Sequence, residues 1–183
     1  HVGYSAPVTK GTVLFRLENS KQHAEVETAK RRIAEVDAQL VAAKVDVEKA
    51  EAQLQQAVSD HKQAKDELDV KSELQRRNPG IVPQRDIEKL QVAVDGRQAA
   101  IDAAAAARKS AETQVSTLLP AARASAEAVL AQAQVEYEKT FVRAGSDGRV
   151  EQFLLRPGDF VSQVMRPAGI LIPEGAGQTA LQA

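Results

Sequence analysis

Arg76-Arg77-Asn78-Pro79-Gly80-Ile81-Val82-Pro83, near the middle of the 183-residue chain, decides the fold. The residue before a proline avoids the α region, and glycine supplies the positive φ that a tight turn needs. Pro83 then stands where a new helix begins, the position at which its missing N–H costs nothing. A helix arriving at Arg77 therefore stops, and a second one starts at Gln84.

Both sides of this turn are periodic. On the N-terminal side one seam position reads Val26, Ile33, Leu40, Val47, Leu54, His61 and Leu68, and the other reads Ala29, Val36, Ala43, Ala50, Ala57, Ala64 and Lys71. Spacings of three and four sustained in this way put one apolar stripe on a helix and call for a partner helix in a left-handed supercoil. Alanine at one seam position lets two backbones approach closely. On the C-terminal side the stripe runs Ile87, Leu90, Val94, Ile101, Ala104, Ala111, Val115 and Leu118, with Arg97 and Arg108 in the remaining slots. Beyond Pro120 the phase slips, and Ala126, Val129, Ala133 and Tyr137 are expected to carry it. A proline in a helix interior costs about 3 kcal/mol, which predicts a kink or short break near residue 120.

The two arms, residues 20–77 and 84–139, match in length at roughly 80–85 Å each. Equal arms joined by a tight turn fold back as an antiparallel hairpin, which brings Ser20 beside Thr140. The flanks must then meet at its base, and they read as strands. Val8 to Leu17 surrounds a turn at Gly11. Thr140 to Ala144 is followed by the turn signal Asp147-Gly148, by Val150 to Leu155, by the turn Arg156-Pro157-Gly158-Asp159, and by Phe160-Val161. The flanks also resemble each other: Val8-x-x-Gly11-x-x-Leu14 parallels Leu155-x-x-Gly158-x-x-Val161. One small β domain, split by a coiled-coil insertion, explains this pattern.

Composition agrees. Aromatic residues are only 3% of the chain, too few for a thick globular core, whereas alanine and charge suit long, closely packed helices. A formal net charge of −1 lacks the basic footprint of a nucleic-acid binder. Cysteine is absent, which excludes disulfides, thiolate nucleophiles and cysteine-based metal sites. The three histidines (His1, His23, His61) are scattered, and no His-x-x-x-His, Gly-x-Ser-x-Gly, Walker or Gly-x-Gly-x-x-Gly pattern occurs. The carboxylates lie at helix-surface spacing, where i,i+4 ion pairs are expected. No catalytic, cofactor or metal site is expected. No run approaches 18 apolar residues and no cleavable signal pattern stands at His1, so a membrane anchor and export signal, if the chain has them, are expected outside these residues.

The flanks carry a resemblance. Val8, Lys10, Gly11, Leu14 and Phe15 match a V-x-K-G-x-x-L-F pattern. Thr140, Val142, Ala144, Asp147, Gly148 and Val150 match T-x-V-x-A-P-x-D-G-x-V, with Gly145 in place of its proline, and Pro157, Gly158, Asp159 and Val161 match P-G-D-x-V. Together with the hairpin, these make the chain resemble the periplasmic adaptors, or membrane fusion proteins, of bacterial export systems (the HlyD type). The resemblance implies a mostly α, α+β fold. Residues 1–19 form the first half of a lipoyl-like β sandwich, residues 20–139 the helical hairpin with its tip at 77–83, and residues 140–167 the second half. Residues 168–183 are the start of a β-barrel domain or a disordered tail. Gly11, Asp147, Gly148, Pro157, Gly158 and Asp159 would shape the turns of the β domain.

The family's role is mechanical. It implies a non-catalytic subunit anchored to the inner membrane, associating into a trimeric or hexameric ring, and linking an inner-membrane transporter to an outer-membrane channel of the TolC type for export of drugs, small molecules or proteins. Leu74, Arg77, Asn78, Pro79, Gly80, Ile81, Val82, Pro83 and Asp86 would form the tip contact, with Pro83 where the family's polar tip residue is usually found. Lys10, beside a turn glycine, raises the alternative of a lipoate or biotin carrier, but it lacks the Asp-Lys-Ala or Met-Lys-Met setting of such carriers. A structural coiled-coil scaffold is the other alternative; it explains the heptads and leaves the matched β flanks unexplained.

Overall fold

The computed structural model describes residues 6–153, 155–161 and 168–174. It divides into two compact units, residues 1–29 with 129–183, and residues 30–128. The elements in chain order are β1 (Ala6–Val8), β2 (Val13–Arg16), α1 (Ser20–Arg77), α2 (Gln84–Thr113), a π-helical turn (Gln114–Leu118), α3 (Leu119–Glu138), β3 (Phe141–Arg143), β4 (Gly148–Glu151) and β5 (Ile170–Pro173). No helix among the described residues is long and apolar enough to cross a membrane.

In the first unit the strands come from both ends of the chain. A three-stranded antiparallel sheet has the order β1-β4-β5, with Ala6 opposite Val150 and Val150 opposite Leu171. A two-stranded antiparallel sheet joins β2 to β3, with Phe15 opposite Val142 and a register shift between Val13 and Phe15. Val8, Ala144 and Val150 are the buried centre, with Leu14, Phe153 and Leu171 packed around them. Among the described residues, both sheets and the buried centre thus combine strands and side chains from the two flanks.

Backbone bonds tie the flanks where the helices start and end. The Leu17 N–H donates to Thr140 O at 2.8 Å, and Asn19 Nδ2 donates to Thr140 Oγ1 at 3.1 Å. Thr140 is buried, and its hydroxyl donates to Tyr137 O. Next to it the rings of His23, Tyr137 and Phe141 meet in sequence, at 5.8 Å and 5.2 Å between centroids. Ser20 and Thr140 are neighbours through this node, so the arms pair within one chain and not in parallel between chains. Just before α1, Glu18 accepts from the Ser20 N–H at 2.9 Å, and hydrogen bonding by Ser20 holds its carboxyl below the ordinary glutamate value.

Several β readings are corrected. Gly148, expected as a turn glycine, is the first residue of β4, in the middle of its sheet. A Cβ placed there would meet Ile172 O at 2.2 Å, so close approach of the neighbouring backbone is what requires glycine. The Asp147-Gly148 pair does not close a hairpin, because β3 and β4 belong to different sheets. Asp147 instead accepts from the Lys10 N–H at 2.6 Å, fastening the Thr9–Thr12 turn of the opposite flank. The strand expected from Val150 stops at Glu151, and Phe160-Val161, expected as a strand, is irregular, with Phe160 90% exposed. Ile170–Pro173 is the outer strand beside β4. The stretches 162–167 and 175–183 of the expected second β half and C-terminal region lie outside the described residues.

In the second unit the seam of α1 follows the heptads. Val36, Ala43, Ala50 and Leu68 are buried, and the intervening seam positions, His61 and Lys71 included, are half-buried. Two ion pairs cross between the arms, Arg97 to Asp60 at 3.5 Å and Arg123 to Asp37 at 2.8 Å. Asp37 is also the main reason the Arg123 guanidinium is held above its ordinary pKa, first by its hydrogen bond and then by its charge. Arg108 bonds along its own helix to Glu112 at 2.9 Å.

The helix does not break at Pro120. Over Gln114–Leu118 it widens to a π turn, in which the Leu119 N–H reaches back to Gln114 O, and it runs on as α3. A π turn absorbs one extra residue. The stripe accordingly moves one position on: Leu119 is buried and Leu130 half-buried, whereas Leu118 and Val129, expected in the seam, are 61% and 57% exposed. Arg123, Ala126, Ala133 and Tyr137 complete the shifted face.

Gly96 lies in the interior of α2 with open space where a Cβ would stand. Gly96→Ala is expected to stabilise the chain by about 1 kcal/mol, because alanine loses less backbone entropy and fills nothing already occupied. Thermal unfolding read by circular dichroism checks the gain.

Candidate functional site: the hairpin tip

The end of the hairpin is a type II turn followed at once by a new helix. Asn78 O accepts from the Ile81 N–H at 3.3 Å, Pro79 sits at the second position, and Gly80 at the third has φ +98°. This is the geometry that Pro-Gly favours. On one side the Asn78 N–H still bonds Leu74 O at 3.0 Å, so α1 is helical to its end. On the other, Pro83 is the extended N-cap of α2 (φ −61°, ψ 136°), and its carbonyl accepts from the Asp86 N–H at 2.9 Å.

All nine residues expected at the tip are brought together here, but they do different things. Ile81 is 60% exposed and Leu74 41%, whereas Val82 is buried. Alternation of the side chains at the loop's end thus sends one apolar residue outward and its neighbour inward. Arg77 donates through Nε to Glu73 Oε1 at 2.7 Å, and Arg76 pairs with the other oxygen of the same carboxylate at 2.6 Å, leaving both guanidiniums on the surface. Asp86 in the first turn of α2 lies 3.6 Å from Lys89. The Lys71 ammonium is held above its ordinary value, first by its 2.8 Å hydrogen bond to Glu67 and then by Glu67's charge, with a smaller contribution from Asp86 on the other arm.

Of the expected turn residues in the β unit, Gly11 (φ +90°) and Asp147 act on one turn, and Pro157, Gly158 (φ +95°) and Asp159 form another. In the latter Asp159 accepts from the Arg156 N–H at 2.8 Å. All of these belong to the first unit, and the tip belongs to the second.

Sequence reasoning missed one tip residue. Gln75 Oε1 accepts from the Gly80 N–H at 3.3 Å and from the Val82 N–H at 3.1 Å. Its signal was present: Gln75 occupies the heptad slot seven residues after Leu68, where an apolar side chain would otherwise extend the seam.

No protein-family model matches the chain. Among curated proteins it is 30% identical over 174 residues to the multidrug resistance protein MdtN of Shigella flexneri, and equally so to MdtN of Escherichia coli K12; the match covers 90% of this chain in both cases. The chain spans about half the length of these relatives. Among solved structures, the periplasmic adaptor protein EmrA is 15% identical with a TM-score of 0.41, covering 94% of this chain and 67% of that one. MacA of Actinobacillus actinomycetemcomitans is 19% identical with a TM-score of 0.44, covering 94% and 44%. The chain is thus related, over most of its length, to about half of a multidrug resistance protein, and the motifs of its two β flanks are those by which it resembles the HlyD-type membrane fusion proteins.

Proposed function

We propose that this chain is the hairpin-bearing part of a periplasmic efflux adaptor, anchored to the inner membrane, that links an inner-membrane transporter to an outer-membrane channel. Its role is mechanical and not catalytic. The β unit acts as a lipoyl-like sandwich that associates side by side with its copies into a ring of three or six, and the C-terminal strand region leads into a barrel domain. The hairpin tip is the contact to a channel of the TolC type, and drugs or other small molecules are the cargo.

The observation that carries this reading is the 30% identity to a multidrug resistance protein over 90% of the chain. The chemistry of the tip supports it. Ile81 and Leu74 offer apolar surface at the outermost turn, flanked by Arg76 and Arg77, a combination suited to a protein contact.

Ile81→Asp in the full-length adaptor tests it. Ile81 is exposed and outside both helices, so helical content and melting temperature are expected to stay as in the wild type. Resistance to the compounds that become toxic when the adaptor gene is deleted is expected to fall to the deletion level. Wild-type resistance with Ile81→Asp would remove the tip from the contact. Val82 is the wrong position for this test, since its buried side chain would make a charge disrupt the loop itself.

A further inference from the structure

We infer that Gln75 is a positioning residue for the tip. Its side-chain carbonyl holds the loop backbone from inside the hairpin so that Ile81 is presented outward in one conformation. This rests on the reading of the tip as a partner contact and adds the residue that prepares it.

The argument starts from the cost of an unpaired donor. The Val82 residue is buried and its N–H bond partly so, and a buried N–H left without an acceptor costs up to about 1–3 kcal/mol. The loop cannot supply that acceptor by continuing a helix, because Pro79 and Gly80 have ended one and Pro83 has only begun the next. Gln75 supplies it, and the same oxygen also takes the Gly80 N–H, two residues earlier. One atom therefore bonds on either side of Ile81 and fixes the residue between two anchored amides. A contact made by a pre-ordered loop loses less entropy on binding than one made by a loop that must first be ordered.

Gln75 is also placed where a purely structural choice would be different. It occupies a seam slot of α1, and leucine there would prolong the apolar stripe. The amide gives up seam burial and gains the two loop bonds. Glutamate keeps two acceptor oxygens at the same reach, and leucine keeps the volume with none.

The test uses Gln75→Leu, Gln75→Glu and Ile81→Asp in the full-length adaptor. Three readouts are taken: the melting temperature, hydrogen exchange at the Val82 amide, and resistance to the compounds to which loss of the adaptor sensitises the cell. Gln75→Leu is expected to melt near the wild-type temperature, because seam burial of the leucine offsets the unpaired Val82 N–H, to exchange the Val82 amide about five- to tenfold faster, and to lower resistance several-fold. Gln75→Glu is expected to restore slow exchange and to stay within twofold of wild-type resistance. Unchanged exchange in Gln75→Leu would overturn the clamp. Wild-type resistance in Gln75→Leu beside lost resistance in Ile81→Asp would overturn its positioning role and leave the tip contact standing. Wild-type resistance in Ile81→Asp would overturn the tip contact, and Gln75's role with it, while the exchange rate still reports whether the clamp exists.

Discussion

Deleting Val45 is expected to unfold the hairpin, whereas deleting Thr117 together with Pro120→Ala is expected to leave it folded. Val45 is 58% exposed, so its removal forfeits almost no contact of its own. What it changes is phase. One residue fewer turns everything beyond it by about 100° around the helix axis. Either Val26, Ala29, Val36 and Ala43 or Ala50, Leu68 and the half-buried positions between them would then leave the seam. At about 1–3 kcal/mol for each large side chain exposed, the loss exceeds about 4 kcal/mol, a large part of the stability of any domain this size.

Thr117 lies in the π turn, where the second arm of the hairpin carries a residue too many. Without it, Leu119 follows Val115 at a spacing of three, and Arg123, Ala126, Leu130, Ala133 and Tyr137 continue at four, three, four, three and four. A regular helix then serves the whole arm. Pro120→Ala is included because a proline in that regular helix would cost about 3 kcal/mol. Melting curves followed by circular dichroism decide the matter. A wild-type melting temperature for the Val45 deletion would refute the seam, and a collapse of the Thr117/Pro120 variant would refute the extra-residue account of the π turn.

Gly148→Val is expected to destabilise the β unit by about 3 kcal/mol or more. The new Cβ would fall 2.2 Å from Ile172 O and 2.9 Å from the carbonyl carbon of the same residue, both backbone atoms of β5. A side chain could swing away, but a paired strand cannot retreat without breaking its ladder, and overpacking alone costs about 1–3 kcal/mol. The lost Gly148–Pro173 and Arg149–Ile172 register is the most direct sign. Faster exchange of the β4 amides, with the helices still formed, is the expected pattern. Gly145→Ala, where no atom lies within 4 Å, is the matched control and is expected to change little. Equal melting of the Gly148→Val and wild-type chains would show that β5 does not approach β4 as described.

Much of the tip was readable in advance because turn chemistry is local. Asn78, Pro79 and Gly80 dictate a type II turn among themselves, and Pro83 begins the next helix with no help from elsewhere. Which of Ile81 and Val82 faces outward was not readable. That depends on Gln75, one helical turn and a loop away, reaching across to two amides. The β unit shows the same division. Gly11 and Pro157-Gly158-Asp159 lie in turns, where neighbours in the chain decide the conformation. Gly148 was misjudged, since the atom that demands glycine belongs to Ile172 on another strand.

From residues alone came the two long helices, their seam through Leu68, the reversal at Asn78–Gly80 and the meeting of the two ends. Helical hydrogen bonds join residues four apart, and a seven-residue repeat needs nothing more distant to be recognised. Folding in three dimensions decided the rest. Strand partners such as Ala6 and Val150 lie far apart along the chain, and no local pattern names them. Likewise, only the packed helix pair determines where an extra residue is absorbed, and hence why Leu119 and Leu130 face inward in place of Leu118 and Val129.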